Sequence, residues 1–478
     1  MRKSPVKVQE SRVKKGEVTA FLSLIFLLLI SFSVSIMEAA SIQMAKNYRR
    51  TDMDRAIESV FAEYRKELLE EFDVFAFDAG YETGDYNEEK IEERLSYYGA
   101  SGMEQKIQRI RFLTDSSGQE FYEQAIRYVQ HKYGLDFLNQ YAGLPSVWNR
   151  QEEEAQEYQG EEQNAWEELD QELLENEGTL PVENNPLSNI EALKQKSLLD
   201  LIMPQGRVVS SKRIVKEEMV SIRKLQQGYG SFEDVSEEGN QSKLLFGEYI
   251  LEHFSAAIEE DVVSSAEEET NLQESGHALE YEIEYILEGK ESDKDNLEAV
   301  AKKLLVMRFA PNYGCILGSA GMRAQAEAMA FTLCTAAALP VLTEAVTQVL
   351  LLGWAFGESI MDLRSLLKGS RVPLVKTEES WQLSLSALLT LGTEEDTQEG
   401  RDMADGLSYK EYLRILIFLK EKEHLSMRAL DIVELCLRKE KGLAWFRADT
   451  CVCKVEIKSS CHLRRGISYQ FRTYYGYK

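Results

Sequence analysis

VTAFLSLIFLLLISFSVSIM, Val18 to Met37, runs for 20 residues without a charged side chain. At a helical rise of about 1.5 Å per residue it measures about 30 Å, the thickness of a bilayer's hydrocarbon core. The stretch predicts a membrane-spanning helix. Its competitor is a removable secretory signal, but such signals carry about 7–15 apolar residues ahead of a small-residue cleavage site. Here the run is longer, and the only such site is Ala39-Ala40-Ser41, behind Glu38. Arg2, Lys3, Lys7, Arg12, Lys14 and Lys15 precede the run, whereas Lys46, Arg49 and Arg50 are set back beyond it. The positive-inside rule then keeps the N-terminus in the cytoplasm. The expectation is a single-pass plasma-membrane protein with a basic tail (1–16), a span (17–39) in contact with lipid through residues 18–37, and an extracytoplasmic remainder.

Composition narrows what that remainder does. A chain of 478 residues with 44% hydrophobic content has enough apolar side chains for one large core or two modest ones. A net charge of -26 argues against nucleic acid as a partner. Six cysteines are too sparse for a disulfide scaffold.

From Glu38 to Glu71 the chain stays helix-favouring, with Ile42, Ala45, Met53, Ile57, Val60, Phe61, Tyr64 and Leu68 near i, i+3, i+4 spacing. This reads as an amphipathic stalk continuing the span, with Thr51-Asp52 as a place for a restart. FDVFAFD, Phe72 to Asp78, reads as a strand, and residues 88–140 as helical, completing a stalk region over 40–150. From Gln151 to Gly178 there are 12 acidic residues and no lysine or arginine, the pattern of a disordered linker or a solvated helix. An acidic linker is therefore placed over 151–190, and Gln226 to Gln241 forms a second breakable stretch.

In the remaining body (191–478), EYEIEYIL, Glu280 to Leu287, alternates Tyr281, Ile283 and Tyr285 with glutamates and predicts a half-buried strand with an acidic outer face. Ser292 starts a helix through about Phe309, and residues 322–367 predict a buried helical hairpin broken at Pro340. Glu327, Glu344, Gln348 and Glu358 argue against a second span there. A short helix around Trp381 and Leu385, a capped helix at Ser408, a helix from Ser426 to Lys439 and strands over 445–457 and 467–477 complete the pattern. The fold class is α+β, helix-dominated, with a small antiparallel sheet that takes in the C-terminal strands together with those at Phe72 and Glu280.

Chemistry is sparse in this pattern. There is no phosphate-binding G-x-x-x-x-G-K-[ST] loop, H-E-x-x-H, G-x-S-x-G or G-x-G-x-x-G. His131, His253, His277, His424 and His462 form no metal-binding pair by spacing. Cys451, Cys453, Cys461 and His462 match no common zinc spacing, and a disulfide between Cys461 on a neighbouring strand and Cys451 or Cys453, or free buried thiols, is the better account. The sequence thus assigns no catalytic residue, no metal and no cofactor, and predicts a protein that is not an enzyme.

Lys14-Lys15-Gly16-Glu17 abuts the apolar run, and this basic junction resembles the leader of pilin-like proteins, which is clipped after the glycine. The glutamate usual five residues after that glycine is replaced by Phe21. KKGEVTAF (14–21), AIESVFAEY (56–64), FDVFAFD (72–78), LEYEIEYILEGK (279–290), LSYKEYLRI (407–415) and the terminal YYGY (474–477) together resemble an uncharacterised family of single-span proteins from Gram-positive bacteria. That family is similar at its N-terminus to the TadE/TadG-like proteins of tight-adherence (Flp) pilus systems. The resemblance implies a structural or accessory, pseudopilin-like component of a surface pilus or secretion assembly. Its partners would be other membrane proteins of that assembly, and its only transferable site is the leader junction at Gly16 and Glu17. A cell-surface enzyme such as a cell-wall hydrolase, or an extracytoplasmic binding or sensing module, stands as the alternative. The basic section with Arg464, Arg465, Arg472 and Lys478 is suited to an anionic wall polymer or to the acidic linker.

Overall fold

The computed structural model describes residues 11–134, 144–176, 179–181, 185–204, 206–232, 239–258 and 277–477. Arg2, Lys3, Lys7 and Lys478 lie outside them. Helix α1 runs unbroken from Ser11 to Phe61, 51 residues, with no restart at Thr51-Asp52. At 1.5 Å per residue it is about 76 Å long. Its N-terminal half is exposed along its whole apolar run, from Val18 to Met37. Its C-terminal half buries Met53, Ala56, Ile57, Val60 and Phe61, the i, i+3, i+4 stripe legible in the sequence. The chain turns at residues 62–65, forms α2 (Lys66–Phe72) and leaves it through Asp73 in the left-handed region.

FDVFAFD contributes far less strand than expected: Phe72 closes α2, and only β1 (Phe77–Asp78) joins the sheet. After α3 (Glu88–Leu95) the helical expectation over 88–140, of which 135–140 lie outside the described residues, is interrupted, because residues 103–112 form the strand β2 (Met103–Phe112). Its register shifts between Ile107 and Arg109, and that bulge sets Ile107 and Ile110 three apart, a helical spacing produced by a strand. Helix α4 (Asp115–Tyr133) follows, then α5 (Leu144–Glu175), which takes up most of the acidic stretch. Carboxylates cover its wet side, while Trp148 and Leu169 are buried.

The body continues with α6 (Pro186–Gln195), α7 (Leu198–Ile202), α8 (Asn240–His253), α9 (Glu282–Glu288) and α10 (Asp293–Gly318). EYEIEYIL is therefore helical from Glu282 on and no part of the sheet. Its glutamates do not form a solvated face: Glu282 accepts from the Ser255 N–H at 3.0 Å and Glu284 from the Ala257 N–H at 2.9 Å, so both are buried as anchors for a preceding turn. Gly289 ends this helix in the left-handed region, where a glycine pays no Cβ clash.

Helices α11 (Ala320–Ala336) and α12 (Thr343–Leu367) form the hairpin, separated at Pro340. By length and composition Pro340–Leu367 would also cross a membrane, but 56% of its apolar window is packed inside the body. Trp381 and Leu385 sit in irregular backbone rather than a helix. Helix α13 (Tyr409–Leu419) starts with the capping box, Ser408 and Glu411 each bonding the other's backbone N–H, and α14 (Lys422–Lys439) begins four residues before Ser426. Strands β3 (Cys451–His462) and β4 (Ser468–Gly476) end the chain.

The fold is helix-dominated α+β with one small antiparallel sheet. Strand β3 is its centre: β2 pairs along one edge, while β4 and the short β1 share the other. One face of the sheet packs with α1 and α3 around Ile107, Val455, Ile457 and Phe471. The larger core lies among the remaining helices. Strand β4 runs beside α1: the Tyr469 hydroxyl donates to the Lys46 carbonyl at 3.2 Å, and Phe61 packs its ring against Tyr475 and Tyr477.

Candidate functional site

The apolar half of α1 is the first candidate, as a lipid-binding element. Its most apolar window has a mean hydropathy of 2.5 and none of it is buried. This helix is long and apolar enough to span a membrane, which is consistent with membrane anchoring. Gly16 and Glu17 lie inside α1, exposed and in continuous helix, with open space where a Gly16 side chain would project.

A second candidate is a cavity of about 550 Å³ between the β2–α4 turn and residues 225–232. Ser116, Ser117 and Gly118 have φ of 51°, 58° and 79°, and a left-handed conformation at two consecutive serines is strained. Three contacts hold the turn. The Asp115 carboxylate accepts from the Phe112 N–H at 2.7 Å and the Gly228 N–H at 3.0 Å, and Arg111 Nη2 donates to Ser116 Oγ at 3.0 Å. Burial raises the Asp115 pKa against the pull of those N–H groups. Opposite, Tyr229 exchanges two backbone hydrogen bonds with Ile110 on the edge of β2. Arg109 lies over the Phe232 ring, 4.8 Å from its centroid. Thr114 Oγ1 is buried without a hydrogen-bond partner among the described residues. The lining offers hydroxyls, amides, one guanidinium and the Asp115 carboxylate, suited to a small polar ligand; no histidine or cysteine is among the described lining residues.

The third feature is a buried ionic network that sequence reading missed. On α10, Arg308 and Asn312 are one turn apart; on α12, Glu358, Ser359 and Asp362 face them. Arg308 Nε donates to Asp362 Oδ2 at 3.0 Å, and its Nη1 to the Leu374 carbonyl and the Tyr412 hydroxyl, both at 3.0 Å. Lys376 Nζ reaches Asp362 Oδ1 at 2.7 Å and Glu358 at 2.5 Å, and Glu358 accepts from the Gln382 and Leu383 N–H groups. Burial opposes the charge on both carboxyls. Arg308 and Lys376 nonetheless hold Asp362 below the usual range, whereas burial pushes Glu358 up to about 7. With two cations against two acids and every group engaged, this is a structural clamp between helices. The signal for it was Arg308 and Asp362 standing in otherwise apolar helix faces.

The cysteines require a correction. Cys451, Cys453 and Cys461 all lie on the one strand β3 and are free, buried thiols. Cys461 is not on a neighbouring strand, and eight residues of strand from Cys453 place it about 26 Å away, far beyond disulfide reach. Cys451 and Cys453 belong to the larger core and Cys461 to the core under α1. Burial pushes the Cys451 and Cys453 thiols well up, which makes them inert rather than reactive. His131 and His462 are exposed on separate elements, and His253 faces Asp73 at 3.1 Å. No group of three or more His, Cys, Asp or Glu side chains that could hold a metal occurs among the described residues.

Fold and site thus define a protein with one long, lipid-compatible helix and a helix-dominated α+β body. Residues 176–463 match the family of unknown function DUF5702, and the chain belongs to that family. The matched region takes in the body from α6 to the end of β3 and leaves out α1. Neither a curated protein nor a solved structure matches the chain.

Proposed function

We propose that the chain is a non-enzymatic, membrane-anchored structural or accessory component of a surface assembly of the Tad/Flp pilus or secretion type. In this reading its N-terminus lies in the cytoplasm, its body outside the plasma membrane, and its partners are other membrane proteins of the assembly. The observation that carries it is α1: a single helix whose exposed apolar half suits lipid or neighbouring helices, while its other half is fixed to the sheet. The basic residues ahead of the span support the orientation.

Intact-mass and N-terminal peptide analysis of the protein from its native membrane tests this. A mature N-terminus at Glu17 would support pseudopilin-type processing. Retention of the residues before Gly16 would remove that step and leave an anchored accessory protein. Cleavage near Ala40 would overturn the anchor.

The cavity beside Ser116 and Ser117 favours one second reading, an extracytoplasmic module that binds a small polar ligand. A ligand protecting the Ile110 and Tyr229 amides from hydrogen exchange would support it.

A further inference from the structure

The sheet face turned away from α1 carries a row of like charges. Lys106 on β2 stands directly opposite Lys458 on β3, and Lys458 directly opposite Arg472 on β4. Lys106 and Arg472 are exposed and Lys458 is half-buried. Neither lysine is in an ion pair among the described residues, and Arg472 only approaches Glu456 at 3.9 Å, a carboxylate already held by Arg109 at 2.8 Å. Glu104 is the other carboxylate on this face. Like charges directly opposite in a sheet are unfavourable, and this chain is otherwise strongly acidic.

An opposing row exists on α5. Glu153, Glu157 and Glu161 are exposed one turn apart, a spacing at which like charges also repel. From Glu153 to Glu161 the row is about 12 Å long, and three adjacent strands span about 10 Å, so the rows match in length when a helix crosses the strands. Within one molecule they do not meet: α5 is held by α10, α12 and α13, whereas the sheet packs on α1, α3 and α4.

We infer that the Lys106–Lys458–Arg472 row is a docking surface for the Glu153–Glu157–Glu161 face of α5 in a second copy of this chain. The two surfaces differ, so the contact is head-to-tail. It leaves a free row at each end of a pair, so further copies add in the same way, into a ring where the rotation closes and a string where it does not. The inference deepens the assembly role proposed above by naming a partner for it.

The test uses the full chain in detergent micelles, followed by sedimentation. One variant carries K106E, K458E and R472E; the other carries E153K, E157K and E161K. The wild type is expected to associate beyond a dimer at ~50 mM salt and to dissociate at ~500 mM, where charges a few ångströms apart are screened. Each variant alone should associate at least ~10-fold more weakly with its melting temperature unchanged, and an equimolar mixture of the two should recover wild-type association. Wild-type-like association of either variant, or a mixture that stays monomeric, would overturn the inference. So would a wild type that is monomeric at low salt; if that monomer binds long-chain polyphosphate through the same lysines, the row belongs to an anionic polymer instead. A monomer whose mature N-terminus is Glu17 would sink this inference and leave the proposed function standing.

Discussion

Arg308 and Asp362 meet at 3.0 Å with both side chains fully buried, and Lys376 reaches the other oxygen of the same carboxylate. Removing one member of such a cluster strands the rest without water. Asp362→Ala should therefore cost about 3–5 kcal/mol, read as a lowered denaturant midpoint. Arg308→Met combined with Asp362→Leu should cost less than the single Asp362→Ala change, because it removes both poles of the pair. A double variant as unstable as the sum of its singles would show that the two residues do not act together.

Glu284 and Asp431 set a pH dependence. Burial raises Glu284 to about 7 and Asp431 to about 6, against hydroxyl and amide donors that pull each down. A carboxyl whose folded pKa lies above its unfolded value stabilises the fold when protonated, and that contribution is lost as pH rises through the folded pKa. Stability should thus fall between pH ~3.8 and ~7, through Asp431 up to about 6 and through Glu284 up to about 7. Glu284→Gln should flatten the trend by up to ~3 kcal/mol, measured as unfolding free energy at several pH values.

Ser408 caps α13 while Glu411 returns the bond. Ser408→Ala should cost about 1 kcal/mol, seen as a lower melting temperature. No change would mean that packing of Tyr409 and Tyr412 alone fixes the helix start.

Gly228 packs so closely against Asp115 and Ile110 that a Cβ there would collide with both. Gly228→Ala should push residues 226–230 off the edge of β2, and faster hydrogen exchange at the Ile110 and Tyr229 amides would register it. Exchange at Val455, in the centre of the sheet, should stay slow.

The thiols on β3 offer a chemical check. Intact mass should not change by 2 Da on reduction, and Cys451, Cys453 and Cys461 should resist alkylation until the protein is unfolded.

What the sequence made legible follows from how many faces an element buries. In α1, α12 and α13 one side or a long apolar run is buried, so periodicity, caps and Pro340 marked them. From Tyr281 to Leu287 EYEIEYIL is buried on every side, and its two-residue alternation recorded glutamates, Glu282 and Glu284, bonded to distant backbone rather than a wet face. In β2 the bulge after Ile107 broke the alternation that would have marked a strand. At the sites, the apolar half of α1 was plain from composition. The cavity was not, because it joins residues 110–117 to residues 225–232, and no local pattern encodes that meeting. The same holds for Lys106, Lys458 and Arg472, which share a row only through the register of three strands.

Helix α1 passes from its apolar half onto the sheet with no kink, and Phe61, its last residue, packs against Tyr475 of β4 and Tyr477 just beyond it. Mechanically this is a rod without a joint. If the apolar half is anchored as proposed, a pull on the body travels as tension down one unbroken helix, and a twist of the body turns that apolar half through the same angle. Neither load has a flexible link in which to dissipate.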